Sequence, residues 1–286
     1  MDKVQDKWYI ELDDCIEILD DKEFVIQHIL ECGQVFRYKT TDFGYKIYAK
    51  DQQIDVICQK VGFKIFSKNL DFVKKYFDLC NNYANIKSDL LESGLMNSAI
   101  SYGYGIRILN QDPLETIISF IISANNNIPR IKKIIEAICA KVGQDMGDYH
   151  AFPTLSQLQQ LSVEDYRALG CGYRSEYLYD TVKKIADGFD LQGLYDLPTE
   201  HARIKLMSLK GVGRKVADCI LLFAYHKTDV FPTDTWIVKL YKDWYDVDKD
   251  AKSISTYFTG LFGVNSGYAQ QYVYYEKMNN RGEKHE

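Results

Sequence analysis

The amino-acid sequence predicts an α+β protein, with an N-terminal antiparallel β-sheet followed by a larger, mainly α-helical part. Three observations support this prediction. Residues 43–66 are rich in β-branched and aromatic residues and partly alternate with polar ones, which is typical of strands. From about Phe72 onward the pattern becomes helical, and residues 206–219 place a glycine turn between two helical runs.

The length of 286 residues is sufficient for one large domain or two. The predicted boundaries are 1–108 for the sheet domain with its flanking helices, 109–278 for the helical domains, and 279–286 for a polar tail.

Three short runs are predicted as the strands of the sheet. They are Phe43–Ala49, Gln53–Gln59 and Phe63–Phe66, and the segments Thr40–Asp42 and Lys60–Gly62 are predicted as the turns that separate them. Short turns of this kind join antiparallel neighbours.

Helix signals follow in the second part. Asp112 is a predicted N-cap, Pro113 suits the first helical position, and Glu115 is expected to complete a capping box. Residues 117–122 are almost wholly apolar, which predicts a central buried helix, and isoleucines at helical spacing mark the helix that follows Asn127. Further helices are predicted from Thr154 to Leu161, Val163 to Leu169, Arg174 to Phe189, Thr235 to Trp244 and Ser253 to Leu261, and from about Ser266 onward.

Composition excludes several classes of protein. No apolar run approaches the roughly 20 residues of a membrane span, and the N-terminus lacks the features of a signal peptide, so an intracellular protein is expected. The seven scattered cysteines include no C-x-x-C pair and predict reduced thiols. A net charge of −5 argues mildly against a nucleic-acid partner, but a local basic face would suffice; the acidic stretches Glu11–Glu23 and Asp243–Asp250 are predicted to be solvated.

The stretch Leu206–Cys219 is predicted to be a helix-hairpin-helix. An amphipathic run from Thr199 to Met207 leads into Gly211-Val212-Gly213, and an apolar run from Val216 to Tyr225 follows. Glycines allow positive φ and close approach, and the amide groups at the start of the second helix form an anion site. Because Lys210, Arg214 and Lys215 add positive charge there, the expected anion is a DNA phosphate.

Beyond the second helix lies Phe231-Pro232-Thr233-Asp234, and the combined pattern resembles the helix-hairpin-helix DNA glycosylase superfamily. Residues 215–219, Lys-Val-Ala-Asp-Cys, resemble its 8-oxoguanine DNA glycosylase branch. The resemblance extends from Cys32 to Gln270 and implies a sheet domain and two helical lobes whose cleft receives the base.

The resemblance implies specific chemistry. A base inside a duplex must first be extruded, after which a lysine amine can attack C1′ and form a Schiff base. Lys215 matches this nucleophile and Asp234 the carboxylate that assists at C1′. Alternatively, Lys215 is a solvated or phosphate-binding lysine, and Asp234 is only the N-cap of the next helix. Cys219 lies one turn after Lys215 on the same helix face.

The resemblance also implies a base-binding set. Gly33 matches the glycine whose carbonyl accepts the N7 hydrogen of 8-oxoguanine, and Gln270 matches the reader of the Watson–Crick edge. Cys219 and Tyr274 match the two sides of a stacking sandwich, with tyrosine where most relatives have phenylalanine. From the residues alone, Gly33 could be an ordinary turn glycine, Gln270 a surface residue and Cys219 a core cysteine.

Two further groups are implied to contact the duplex. Asn125, Tyr173 and Arg174 match residues that fill the gap left in the duplex by the extruded nucleotide. Arg130 and Arg174 match the two arginines that contact the cytosine left without its pairing partner, which predicts cytosine opposite the lesion. The predicted phosphate contacts are Lys210, Gly211 and Gly213 of the hairpin, and Trp236. Because Trp236 stands where the eukaryotic enzymes have a histidine, its contact is either lost or made by the indole N–H. The carbonyls of Met207, Leu209 and Val212 are implied to hold a cation.

The resemblance therefore implies an intracellular base excision repair enzyme, expected in the cytoplasm and nucleoid, or in the nucleus in a eukaryote. It would act as a monomer on double-stranded DNA that contains 8-oxoguanine, as a bifunctional glycosylase and lyase. No cofactor is expected, and no iron–sulfur cluster, because no cysteine follows Cys219. Three alternatives remain: a related glycosylase for an alkylated purine, a non-enzymatic helix-hairpin-helix DNA-binding module, and a protein-interaction helical domain.

Overall fold

The structure, a computed structural model, describes residues 8–279, which form two compact units. The first unit combines the residues up to Leu109 with those from Gln271 onward, and the second comprises Asn110–Gln270. The predicted domain boundaries at 108/109 and 278/279 stay predictions, and residues 280–286 of the predicted tail lie outside the described residues.

The first unit is built on an antiparallel sheet of six strands in the order β1-β2-β6-β5-β4-β3. The strands are β1 Tyr9–Glu11, β2 Cys15–Ile18, β3 Tyr38–Thr41, β4 Gly44–Ala49, β5 Gln52–Cys58 and β6 Phe63–Phe66. Alternate residues of the central strands are buried, for example Ile54 and Val56 in β5, and they share a core with apolar residues of neighbouring helices. The predicted sheet is confirmed, with twice the expected number of strands.

The sequence-based prediction was wrong at two places in this sheet, the edge strand β3 and the inner strand β2. Thr40 and Thr41 were assigned to a turn but pair with Tyr45 and Gly44, because the chain reverses one residue later. The acidic stretch Glu11–Glu23 was predicted to be a solvated face, yet it contains β2, where Cys15, Ile16 and Ile18 are buried. Pairing with β1 and β6, and not the local composition, sets this strand.

Between residues 8 and 109, four helices accompany the sheet: α1 Ile26–Glu31, α2 Leu70–Tyr76, α3 Tyr83–Leu91 and α4 Asn97–Tyr102. Apolar residues of α1 and α2, including Ile26, Ile29 and Val73, are buried in the same core as the strands. The first unit therefore has a helix-and-sheet core of its own.

The second unit is helical. Its helices are α5 Pro113–Ser123, α6 Ile128–Val142, α7 Leu155–Leu158, α8 Val163–Ala168, α9 Arg174–Ala186, α10 Thr199–Met207, α11 Arg214–Tyr225, α12 Thr235–Tyr245 and α13 Ala251–Phe262, together with the first part of α14 Ser266–Asn279. The predicted cap is confirmed, since Asp112 accepts the amides of Leu114 and Glu115 at 2.9 and 3.1 Å. The buried helix α5 packs on α11, where Phe120 stacks on Phe223 with 5.4 Å between ring centroids. None of the helices in the described part of the chain has the length and apolar character that crossing a membrane would require.

Candidate active site

The glycine turn between α10 and α11 forms a helix hairpin. Gly211 has φ +84°, and an added Cβ would lie 2.7 Å from the ring of Tyr177, so this position requires glycine for both conformation and space. Gly213 does not use positive φ, contrary to expectation: it has φ −84° and is the residue before α11. A Cβ at Gly213 would meet nothing within 4 Å, so this side of the turn is open to a partner.

One face of α9 supports the hairpin turn. Besides Tyr177, the hydroxyl of Thr181 donates to the Lys210 carbonyl at 3.2 Å. The ammonium of Lys184 donates to the Ser208 carbonyl at 2.7 Å. Residues 177, 181 and 184 follow helical spacing, so a single face of α9 holds the turn.

Lys210, a predicted phosphate contact, has an internal partner. Its ammonium lies 2.6 Å from a carboxylate oxygen of Asp180, with both side chains about half exposed. This hydrogen bond raises the pKa of Lys210, and the charges of Asp180 and Glu176 act in the same direction. A DNA phosphate at Lys210 would compete with the carboxylate of Asp180 for the ammonium.

One of the turn carbonyls predicted to hold a cation, that of Leu209, already accepts a hydrogen bond. The Leu209 carbonyl accepts the amide of Val212 at 3.2 Å, and the charged Lys184 occupies the carbonyl of Ser208 between Met207 and Leu209. Among residues 8–279, no three His, Cys, Asp or Glu side chains are grouped as metal ligands either. The positive charge of Lys184 opposes a second cation nearby, and the hairpin cation stays a prediction.

Lys215 is the second residue of α11, and its side chain is half-buried. Its ammonium lies 5.7 Å from the centroid of the Phe120 ring and is hydrogen-bonded to Cys219, as expected from their spacing. Burial raises the pKa of the Cys219 thiol to about 11, and the positive charge of Lys215 opposes this rise. The amine lies near the positive end of the α11 dipole, while the face of the Phe120 ring attracts an ammonium.

Asp234 caps α12 and belongs to the same neighbourhood. Its carboxylate accepts the amides of Trp236 and Ile237 at 2.9 and 3.0 Å, which confirms the N-cap interpretation. The negative charge of Asp234 also contributes to the raised pKa of Cys219. The fold therefore places the amine of Lys215 at the start of α11, the thiol of Cys219 one turn later and the carboxylate of Asp234 at the start of α12 in one neighbourhood. The indole of Trp236 is partly exposed beside them.

A buried ion pair within the hairpin was not predicted. Arg203 of α10 donates to Asp218 of α11 at 2.5 Å, and Asp218 is only 1% exposed. Arg203 also pairs with Glu200 on its own helix. Burial raises the pKa of Asp218, and the charge of Arg203 opposes this effect. The pair holds the two hairpin helices together beside Lys215. The only signal in the sequence that could have indicated this pair is the position of Asp218 directly before Cys219.

Two members of the predicted base-binding set lie together in the first unit. Gly33 has φ +79°, and an added Cβ would lie 3.0 Å from the ring of Tyr274. The glycine is therefore more than an ordinary turn residue, since a larger side chain would push against the aromatic ring. In the second unit Gln270 is 4% exposed, so the alternative of a surface helix residue is wrong.

The residues predicted to contact the opposite strand surround the loop after α5. Tyr173 is 55% exposed and its hydroxyl donates to the Ala124 carbonyl at 3.3 Å. Arg174, by contrast, is buried, and its guanidinium donates to the carbonyls of Ala124 and Asn125. Arg130 is exposed and donates to the Gly170 carbonyl at 3.4 Å.

These four residues are thus brought together as expected. Asn125 is itself exposed with φ +50°, a backbone conformation that residues other than glycine seldom adopt. Their contacts with cytosine stay predictions, and the present contacts of Arg174 give it a structural part as well.

The second unit as a whole has the features of a DNA-processing protein. An open helix-hairpin-helix turn suits a phosphate, and a half-buried lysine lies beside it with a thiol and a carboxylate. Such a lysine suits nucleophilic attack at an electrophilic sugar carbon.

Comparison with known proteins agrees with this class. The family model for the N-terminal domain of 8-oxoguanine DNA glycosylase matches residues 18–117, and that for HhH-GPD superfamily base excision DNA repair proteins matches residues 118–261. The N-glycosylase/DNA lyase of Saccharomyces cerevisiae is 37% identical over 85% of this chain and 75% of the yeast protein. The chain belongs to the 8-oxoguanine DNA glycosylase family of the HhH-GPD superfamily.

Solved structures support the same conclusion. The Clostridium acetobutylicum 8-oxoguanine glycosylase/lyase, in complex with double-stranded DNA containing cytosine opposite 8-oxoguanine, is 36% identical. The match covers 95% of this chain and 98% of that one, with a TM-score of 0.89. The 3-methyladenine DNA glycosylase of Archaeoglobus fulgidus, at 18% identity and a TM-score of 0.69, shares the fold alone. The alternative of an alkylated-purine glycosylase is therefore not favoured.

Proposed function

We propose that this protein excises 8-oxoguanine paired with cytosine in duplex DNA and then cleaves the strand at the resulting abasic site. The grouping of Lys215, Cys219 and Asp234 at the helix-hairpin-helix carries this proposal. Family membership and the N-glycosylase/DNA lyase activity named for relatives support it. The enzyme acts on double-stranded DNA inside the cell and uses no cofactor of its own.

In the proposed reaction, the neutral amine of Lys215 attacks C1′ of the extruded nucleotide. A C–N bond to lysine forms while the glycosidic bond breaks, and the base leaves with the bonding electron pair and takes up a proton. The Asp234 carboxylate stabilises the positive charge that develops at the sugar. The lysine adduct opens to a Schiff base, and loss of a proton from C2′ then expels the 3′ phosphate by β-elimination.

Base recognition is proposed to depend on Gly33, Gln270, Cys219 and Tyr274. The Gly33 carbonyl accepts the hydrogen at N7, which 8-oxoguanine has and guanine lacks. Guanine would place a lone pair against that carbonyl, and such a mismatch of polar groups penalises the normal base. Gln270 reads the Watson–Crick edge, while the Tyr274 ring and the Cys219 sulfur hold the two faces of the base.

The opposite strand is proposed to meet Tyr173 and the two arginines. The exposed ring of Tyr173 enters the gap left by the extruded nucleotide. Arg130 and Arg174, with Asn125, contact the orphaned cytosine. The backbone is held by Gly211, Gly213, Lys210 and Trp236.

Borohydride trapping on duplexes with 8-oxoguanine opposite each of the four bases tests this proposal. The wild-type protein is expected to form a covalent adduct, strongest opposite cytosine, and Lys215→Gln to form none. Lys239→Gln, which changes an exposed lysine of α12, is the matched control and should trap normally. Asp234→Asn keeps a good N-cap but loses the charge, so it should fold normally and react slowly. Trapping by Lys215→Gln at the wild-type level would reject Lys215 as the nucleophile.

Arg130→Gln tests partner choice separately. It should reduce the preference for cytosine while leaving trapping itself intact. Equal trapping of the wild-type protein opposite all four bases would remove the arginine assignment but retain the chemistry.

A further inference from the structure

The loop that carries Gly33 has no regular secondary structure to hold it. Helix α1 ends at Glu31 and strand β3 begins at Tyr38, so the intervening backbone depends on other contacts. Gly33 itself has positive φ and the ring of Tyr274 against it. The position of its carbonyl must therefore be fixed by neighbouring side chains.

Gln34 supplies these contacts and is completely buried. Its amide nitrogen donates to the carbonyls of Ile29 at 2.9 Å and Arg107 at 2.8 Å, and lies 3.2 Å from the Cys32 sulfur. Its amide oxygen accepts the backbone N–H of Leu109 at 2.8 Å. A buried glutamine is tolerated only when its polar atoms are bonded, and these bonds connect both sides of Gly33 to residues 107–109.

The segment to which Gln34 is tied is itself rigid. The side chain of Arg107 is completely buried, and its guanidinium lies 4.6 Å from the ring centroid of Trp8 and 4.0 Å from that of Tyr83. It also donates to the Phe77 carbonyl at 2.9 Å and the Glu23 carbonyl at 3.1 Å. The Gly33 loop is thus anchored, through Gln34, to a segment with several independent supports.

We propose that Gln34 is a positioning residue that sets the selectivity for 8-oxoguanine over guanine by fixing the Gly33 carbonyl. This inference rests on the proposed role of Gly33. Hydrogen bonds weaken steeply with distance and angle, so a single carbonyl distinguishes a donor at N7 from a lone pair only if it cannot move away. A mobile carbonyl would lose part of its bond to 8-oxoguanine and tolerate guanine better.

Binding measurements in the Lys215→Gln background, where excision does not interfere, test the proposal. Dissociation constants are compared for otherwise identical duplexes with 8-oxoguanine or guanine opposite cytosine. The selectivity ratio is the dissociation constant for guanine divided by that for 8-oxoguanine. Gln34→Met keeps the side-chain length and removes every amide hydrogen bond. It should lower the selectivity ratio about tenfold, the factor equivalent to one net hydrogen bond. Gln34→Asn keeps the amide but is one methylene shorter, and it should change the ratio in the same direction. It is the variant to use if Gln34→Met folds poorly.

Two controls distinguish a role in positioning the Gly33 carbonyl from a general effect on stability. Ile54→Ala removes buried volume from the sheet of the same unit and should lower stability without changing the ratio. Incision of a preformed abasic site, measured with Lys215 intact, requires no base reading and should be retained in Gln34→Met. An unchanged ratio in both Gln34 variants, or an equal loss in Ile54→Ala, would overturn the proposal.

Gly33→Ala separates the inference from the function on which it rests. If Gly33→Ala lowers the ratio and the Gln34 variants do not, the role of Gly33 stands and that of Gln34 is rejected. If none of these variants changes the ratio, the role of Gly33 is rejected and that of Gln34 with it.

Discussion

The ion pair between Lys210 and Asp180 leads to a prediction about DNA affinity. The 2.6 Å contact lies at the hairpin turn, and the two side chains are 49% and 43% exposed. A phosphate that binds Lys210 competes with this pair and must approach the negative charge of Asp180. Removing the charge with Asp180→Asn should therefore strengthen DNA binding, although most substitutions in a binding surface weaken it.

The size of this effect follows from the exposure of the pair. Because ion pairs between exposed side chains contribute little, the affinity of Asp180→Asn for DNA at low salt should be about 1.5- to 5-fold tighter. The gain should shrink as salt rises, because the Debye length is about 10 Å at 0.1 M and shorter above it. Lys210→Ala should instead weaken binding and reduce the slope of log K against log salt by about 0.9, the value for one phosphate contact.

Fluorescence anisotropy with an undamaged duplex across a salt series measures both changes. Asp187→Asn is the matched control, because it removes an exposed carboxylate at the end of the same helix, α9. In the Lys210→Ala background the effect of Asp180→Asn should largely disappear, as expected for residues that are energetically coupled. If Asp180→Asn binds no better than Asp187→Asn, competition between this carboxylate and DNA is refuted.

Two further predictions concern stability. Asp218→Asn leaves the buried Arg203 without its main partner and should reduce the free energy of unfolding, measured by urea titration, by about 3 kcal/mol. The double variant with Arg203→Met and Asp218→Leu should recover most of this loss. Wild-type stability of Asp218→Asn would contradict the prediction. Burial lowers the pKa of His28 from 6.5 to about 4, and its Nδ1 accepts the Gly105 amide, so the fold favours the neutral ring. Stability should therefore fall as pH drops through this window, and His28→Leu, but not the exposed His201→Leu, should flatten that loss.

Sequence was most informative where local chemistry determines the structure. The N-cap at Asp112 and the bounds of the hairpin helix from Thr199 to Met207 were predicted correctly. The amphipathic pattern predicted for that helix was wrong, because Ile204 and Met207 are exposed and Arg203 is buried. Strand β2 was missed because its alternation is short and lies within an acidic stretch, and pairing with β6, about fifty residues away, decides its structure.

The candidate site shows the same division. The spacing of Lys215 and Cys219 predicts their contact, because both lie on one helix face. The pair Lys210–Asp180 spans thirty residues, and no local pattern connects the two positions. The partners of Gln34 at residues 107 and 109 are likewise more than seventy residues away, so their role could be found only in the folded chain.

Helix α9 connects two features that the sequence suggested separately. Arg174, in its first turn, holds the loop after α5, while Tyr177, Thr181 and Lys184 hold the hairpin turn along one face. Ten residues of α-helix span about 15 Å, and a helix resists compression over that distance. The residues proposed to meet the orphaned base are thus held at a set spacing from the turn proposed to hold the backbone. Because this spacing depends on α9, the helix has two effects on DNA binding. It carries Asp180, which competes with phosphate for Lys210, and it sets the distance between the two proposed DNA contacts of the second unit.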